Sequence, residues 1–166
     1  MADTKITALT EATSLASTDL LVCVVQPGTT PITRKILKSN LSTWVTWVPT
    51  PTNLTVGNGT LTAKYLELGH LVAVSVMFTL GSSSAVGTSP SLTLPVTATT
   101  RGVWQAQYSD TGTAYYIGRA EALTGSLYFY RSFVTGADLQ ITAITASIPF
   151  TWTTGDIITI GGVYGI

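Results

Sequence analysis

The sequence predicts an all-β chain: an antiparallel β-sandwich, jelly-roll-like, preceded by a short extended N-terminal segment. Three observations carry this. Thr supplies 31 of the 166 residues and Val and Ile are common, so the chain is rich in β-branched side chains that fit a pleated surface. From Trp44 onward no stretch has a helical period. Short apolar runs instead alternate with turn residues at spacings of about ten to fifteen, as in small sandwiches and jelly rolls.

Taken in order, residues 1–42 form a region of their own. Lys5-Ile6-Thr7-Ala8-Leu9-Thr10 comes first, followed by Asp19-Leu20-Leu21-Val22 and Val24-Val25. A Pro27-Gly28 turn leads to Thr33-Arg34-Lys35-Ile36 and Asn40-Leu41. These apolar patches are short and separated by Ser, Thr and Ala, too small to bury a core. Half of the basic residues (Lys5, Arg34, Lys35, Lys38) also lie here. Such a segment is expected to dock onto something else. The boundary falls between Leu41 and Trp44, giving a segment 1–42 and a β-sandwich 43–166.

Within the second region, Pro49-Thr50-Pro51-Thr52-Asn53 reads as the loop leading into the domain, because proline cannot donate to a central ladder. Residues 60–68 and 71–80 form a hairpin around Leu68-Gly69-His70. Val72, Val74, Val76, Phe78 and Leu80 share one face of its second strand. Further strands are expected at 91–94, 102–108, 114–119, 126–133, 139–146 and 157–164. Breakers separate them, among them the whole of 81–90, whose Gly81-Ser82-Ser83-Ser84 run reads as a loop tip.

Composition narrows the function. Charged residues make up 10% of the chain and hydrophobic ones 45%, with eight basic and eight acidic groups and no net charge. That removes the basic footprint of a nucleic-acid binder. Low charge with positive mean hydropathy points to self-association or burial in an assembly. The longest apolar run, from Leu20 to Val25, is too short for a membrane span, so no membrane insertion is expected. The N-terminus has no signal-peptide pattern, which predicts maturation in the cytosol. Cys23 is alone, so no intrachain disulfide is expected, and its apolar neighbours predict a buried thiol.

Catalysis is not expected. His70 is the only histidine and falls in a predicted turn. No Gly-x-Ser-x-Gly, phosphate-binding loop or dinucleotide fingerprint occurs. Asp110, Glu121, Asp138 and Asp156 are scattered, and three of them border Gly-containing turns, where an Asp side chain ordinarily bonds nearby backbone. Convergence of two of them as a glycosidase pair is the weaker alternative. No loop offers the packed oxygen ligands of a calcium site, and no metal or cofactor is expected.

Aromatic residues are the better binding candidates. Tyr108, Tyr115, Tyr116, Tyr128 and Tyr130 lie on predicted strands, and of the adjacent Tyr115 and Tyr116 one must point away from the core. Exposed rings of this kind suit stacking on host surface glycans. The alternatives are cross-strand packing and subunit contacts. Trp44, Val45 and Trp47, at the start of the domain, are candidates for an oligomer interface, or for the first strand packing in its own core.

The N-terminal pattern resembles the recurrent start of bacteriophage tail-fibre, tailspike and head-fibre proteins. The matching residues are Lys5-Ile6-Thr7-Ala8-Leu9, Asp19-Leu20-Leu21-Val22, Thr33-Arg34-Lys35-Ile36 and Asn40-Leu41. The remainder is similar to C-terminal β-sandwich modules of phage tail and fibre proteins. That likeness rests on Trp47-Val48-Pro49-Thr50, Lys64-Tyr65-Leu66-Glu67-Leu68-Gly69, Leu92-Thr93-Leu94-Pro95, Pro149-Phe150-Thr151-Trp152, Gly155-Asp156 and Gly162-Val163-Tyr164.

The resemblance implies a virion protein assembled in the host cytoplasm. Ile6, Leu9, Leu20, Leu21, Val22, Arg34, Lys35 and Ile36 would dock it on capsid, portal or tail proteins. It also implies a homotrimer and an outward sandwich. The long shaft of such fibres is missing between the two parts, so a short appendage or a decoration protein is expected.

Overall fold

The structure, a computed structural model, describes the backbone of residues 20–25 and 32–37 and all of residues 43–166. The chain divides into two compact units, Met1–Thr43 and Trp44–Ile166. In the first, β1 (Leu20–Val25) and β2 (Ile32–Leu37) pair antiparallel, from Leu20↔Leu37 to Val25↔Ile32. The segment expected to be merely extended therefore holds a two-stranded pairing between two of its apolar patches.

The second unit is all-β and antiparallel, as the sequence predicts. Its strands are β3 (Val45–Thr46), β4 (Pro51–Thr55), β5 (Thr60–Leu68), β6 (Leu71–Thr79), β7 (Ala85–Thr93) and β8 (Gly102–Asp110). They continue with β9 (Ala114–Leu123), β10 (Ser126–Thr135), β11 (Asp138–Ala143) and β12 (Ile157–Gly165). All ten belong to one sheet of order β3-β5-β6-β12-β8-β9-β10-β7-β4, with β11 on the second half of β10. Among the described residues there is no helix.

Chain connectivity forces this sheet to curl. The nine strands of the main path would span about 38 Å if laid flat. The two edge strands, β3 and β4, are joined by only Trp47, Val48, Pro49 and Thr50, a reach of about 18 Å from Thr46 to Pro51. The sheet therefore rolls into a half-barrel, with the two edges of its main path bridged by one short segment. Trp47 N–H still donates to the Ala63 carbonyl on the β5 side, at 3.0 Å. Three residues later the Thr50 carbonyl accepts from Thr93 N–H on the β7 side, also at 3.0 Å.

Alternation fills the interior. Val72, Val74, Val76 and Phe78 of β6 are buried, joined by Ile158 and Ile160 of β12 and by Leu127 and Phe129 of β10. Ala106, Ala120 and Ala122 face the same core from β8 and β9, and Gly118 leaves room for the Tyr108 ring, which a Cβ there would strike. Tyr108, Trp152, Phe150 and Tyr116 form a chain of ring contacts with centroids 4.4 to 5.9 Å apart.

Two stretches differ from the sequence reading. Residues 49–53 were expected to be loop, yet Pro51 begins β4; the proline rule holds because β4 is an edge strand. Residues 81–90 were expected to be a break, yet β7 starts at Ala85 and contains Pro90. The β4–β7 register jumps from Thr52↔Ser91 to Leu54↔Val86, so residues 87–90 stand opposite Asn53 alone. Asn53 sits at φ 52 and its Nδ2 donates to the Thr88 carbonyl at 2.9 Å. This bulge leaves Pro90 with no ladder bond to make.

Side chains lock the loops at one end. Asn58 Oδ1 accepts from Ser83 N–H and Ser83 Oγ, both at 2.9 Å, tying the β4–β5 loop to the Gly81-to-Ser84 tip. Gly57, at φ +55, lies so close that an added Cβ would sit 2.4 Å from the Ser83 carbonyl oxygen. Asp156 is buried and its carboxylate accepts from Thr111 N–H at 2.9 Å and from Thr153 N–H at 2.6 Å.

Two stability outcomes follow. Asp156→Ala removes the charged acceptor of the Thr111 and Thr153 N–H groups in two loops, and should lower the unfolding free energy by about 2–3 kcal/mol, read from the denaturant midpoint. Thr124, a β-branched residue at φ 54 in the β9–β10 turn, carries backbone strain of about 1–3 kcal/mol. Thr124→Gly, after the entropic cost of glycine, should raise stability by about 1 kcal/mol in the same measurement.

Candidate functional site

Of the docking candidates, Leu20, Leu21 and Val22 lie on β1 and Arg34, Lys35 and Ile36 on β2, with Leu21 opposite Ile36 and Val22 opposite Lys35. Ile6 and Leu9 lie outside the described residues. The three interface candidates separate. Trp44 is 48% exposed and Val45 is similarly open, whereas Trp47 is buried in the core. Trp47 thus plays the packing role, and Val48, 90% exposed, joins the open pair. Beside them is an apolar pocket of about 560 Å³ lined by Trp47, Val48, Pro49, Val56 and Leu61.

The five tyrosines also divide, because each strand shows its residues alternately to the core and to the outside. Tyr108 points inward, fully buried, and its hydroxyl donates to the Tyr130 carbonyl at 2.9 Å. It is a core residue and offers no ring to a glycan. Tyr116, paired with Tyr108, packs at 5.1 Å on Phe150. Tyr115 is 74% exposed on the opposite face. Tyr128 and Tyr130 are half-buried on that outer face, registered against Glu121 and Arg119.

Sequence reasoning missed what those two acidic and basic residues do. Glu121 is on the outer face yet only 2% exposed, because Arg101 and Arg119 both ion-pair with its carboxylate. Arg101 also hydrogen-bonds Glu121, which holds its guanidinium pKa above the usual value. Glu121 Oε1 meets Arg119 as an ion pair without hydrogen-bond geometry, and Arg119 Nε is buried with no partner. Burial, with the Glu121 charge second, raises the Tyr130 phenol above its ordinary value. The signal in the sequence was Arg119-x-Glu121, a pair two apart on one strand face.

Next to this cluster the face is polar and uncharged. Gln105 and Gln107 of β8 point outward, opposite Arg119 and Ile117 of β9. On their other side the β12–β8 register ends at Ile160↔Ala106. There a trough of about 350 Å³ opens, lined by Gln105, Gln107, Ile117, Thr159 and Gly161. None of the five tyrosines lines it. No group of three or more metal-ligating side chains occurs among the described residues. The face can therefore offer hydrogen bonds and stacking surface.

Tyr108 is expected to make the domain sensitive to alkali. Burial pushes its phenol well above the ordinary value of 10.0, and the bond to the Tyr130 carbonyl only partly offsets this. A raised folded value means that the neutral phenol favours the fold; its contribution is complete below the unfolded pKa and is lost as pH rises through the folded one. Unfolding free energy, measured against pH, should fall above about pH 10, and Tyr108→Phe should flatten that fall while costing about 1 kcal/mol at neutral pH.

Comparison of the chain with models of known protein families, with curated proteins and with solved structures gives no match.

Proposed function

We propose that this chain is a bacteriophage virion appendage protein of the short-fibre, head-fibre or tail-fibre kind. Residues 1–42 dock it on capsid, portal or tail proteins, and the β-domain faces outward, where it binds host surface glycans. No catalysis is assigned to it. The observation that most supports this reading is the division of the chain at Thr43 and Trp44. Among its described residues the first unit contributes a pairing of two six-residue strands, and a two-stranded pairing is marginal without a surface to lie on. The second holds a complete core.

The proposal includes three copies around an axis. Exposed Trp44, Val45 and Val48 give the start of the domain an apolar patch that neighbouring copies would cover. The outer face with Tyr115, Tyr128 and Tyr130 supports glycan contact. A second reading, a decoration protein that binds no receptor, draws support from the scarcity of charge, since a shell-bound surface needs little.

Deletion of residues 1–42 is expected to abolish incorporation into particles while far-UV circular dichroism keeps its β signature; incorporation of the deleted chain would remove the docking role. Light scattering of the full chain should give three chain masses, falling to one with Trp44→Asp and Val45→Asp together. A monomeric wild type would end the trimer proposal. Binding to host cells, or its absence, separates the two readings.

A further inference from the structure

Gly161 and Gly162 lie side by side in β12, in the middle of the sheet, and only one of them is explained by packing. A Cβ on Gly162 would lie 2.0 Å from the Trp104 ring, so that position must be glycine. A Cβ on Gly161 would meet only the Val74 carbonyl oxygen, at 3.8 Å, which is ordinary contact. Nor is its backbone among the left-handed ones. Glycine inside a strand costs conformational entropy and packs nothing; it often marks a bulge, a bend, or a place that a ligand or another backbone approaches closely. The β12–β6 register runs unbroken through Gly161↔Ser75, so no bulge against β6 accounts for it, and no other backbone crowds it. Gly161 forms part of the trough, where the β12–β8 register has just ended.

The lining of the trough defines the ligand. Gln105 and Gln107 are two residues apart on one face, and each amide offers donors and an acceptor. Thr159 adds a hydroxyl, and half-exposed Ile117 adds an apolar surface. No charged side chain lines the trough. The nearest in register, Arg119 opposite Gln105, is engaged with Glu121. The volume, about 350 Å³, suits a small ligand segment. A partner with many hydroxyls, apolar C–H faces and no charge fits all of these features.

The geometry points to a subsite for a neutral oligosaccharide, with a sugar ring lying over Gly161 and its hydroxyls held by Gln105, Gln107 and Thr159. This rests on the glycan-binding reading of the β-domain and moves its centre from the tyrosines to the trough.

The test titrates the full chain with neutral hexasaccharides (cello-, malto- and chito-series) and with an anionic oligogalacturonate, following amide NMR shifts. A neutral oligosaccharide is expected to bind and to shift the amides of Gln105, Gln107 and Gly161. Gly161→Val should weaken binding by about tenfold or more with the thermal midpoint unchanged or higher. Gln107→Ala should weaken it without loss of fold. Wild-type affinity in Gly161→Val, a fall in its thermal midpoint, or preference for the anionic chain would each overturn the proposal. If Gly161→Val binds normally while Tyr115→Ala and Tyr130→Ala do not, the trough is wrong and the glycan reading stands. No binding by any neutral chain at millimolar concentration overturns the subsite, and absence of host-cell binding as well removes the glycan reading.

Discussion

The β-domain depends on its last strand. β12 pairs with β6 along its whole length, from Ile157↔Thr79 to Gly165↔Leu71, and with β8 on its other side. It is the seam between the β5–β6 hairpin and the β8–β9–β10 meander, which are otherwise neighbours in neither sequence nor sheet on that side. Both ends of the seam are fixed. Asp156 holds the chain as it enters, while Thr99 N–H and Ile166 N–H close the exit on the Gly165 and His70 carbonyls, both at 2.9 Å. Burial of Ile158, Ile160 and Tyr164 adds the apolar contribution. Since these partners are distant in sequence, the sheet is a high-contact-order fold and is expected to form slowly.

The curl follows from a second constraint, the four-residue connection between the edge strands β3 and β4. It also explains how the edges avoid unwanted pairing. β3 is two residues long, and β4 carries Pro51 and the Asn53 bulge. The outer part of β10 and the whole of β11 form a ribbon in which Val134 and Leu139, an opposed pair, stay exposed. So the edges of the main path are protected, while β11 leaves an open edge with uncovered apolar side chains.

The outer face of β8, β9 and β10 joins two kinds of chemistry. At one end, Arg101 and Arg119 pair with the buried Glu121 carboxylate beside Tyr128, which fixes those side chains and leaves no free negative charge. At the other, amides and a missing side chain leave an uncharged trough. Cross-strand register brings Gln105 beside Arg119 and Arg119 beside Tyr130, and β12 adds Thr159 and Gly161 to the trough.

Sequence periodicity determined the class of the fold. The valine alternation of β6 and the Leu68-Gly69-His70 punctuation give the hairpin at once, since strand faces and turns are local properties. Local reading failed where the partner strand decides. Pro51 and Pro90 look like breakers until an edge and a bulge remove their need for an N–H. Tyr108 and Tyr115 look alike as rings on strands, yet the register places one in the core and the other in solvent. Glu121 reads as an ordinary surface carboxylate, and only the meeting of Arg101, Arg119 and Glu121 buries it. The sequence by itself thus determined strands, turns and a low-charge surface, because these follow from backbone preference and side-chain type. Tertiary structure decided which residues share a face and where the trough lies, because cross-strand neighbours are set by hydrogen-bond register between segments far apart in the chain.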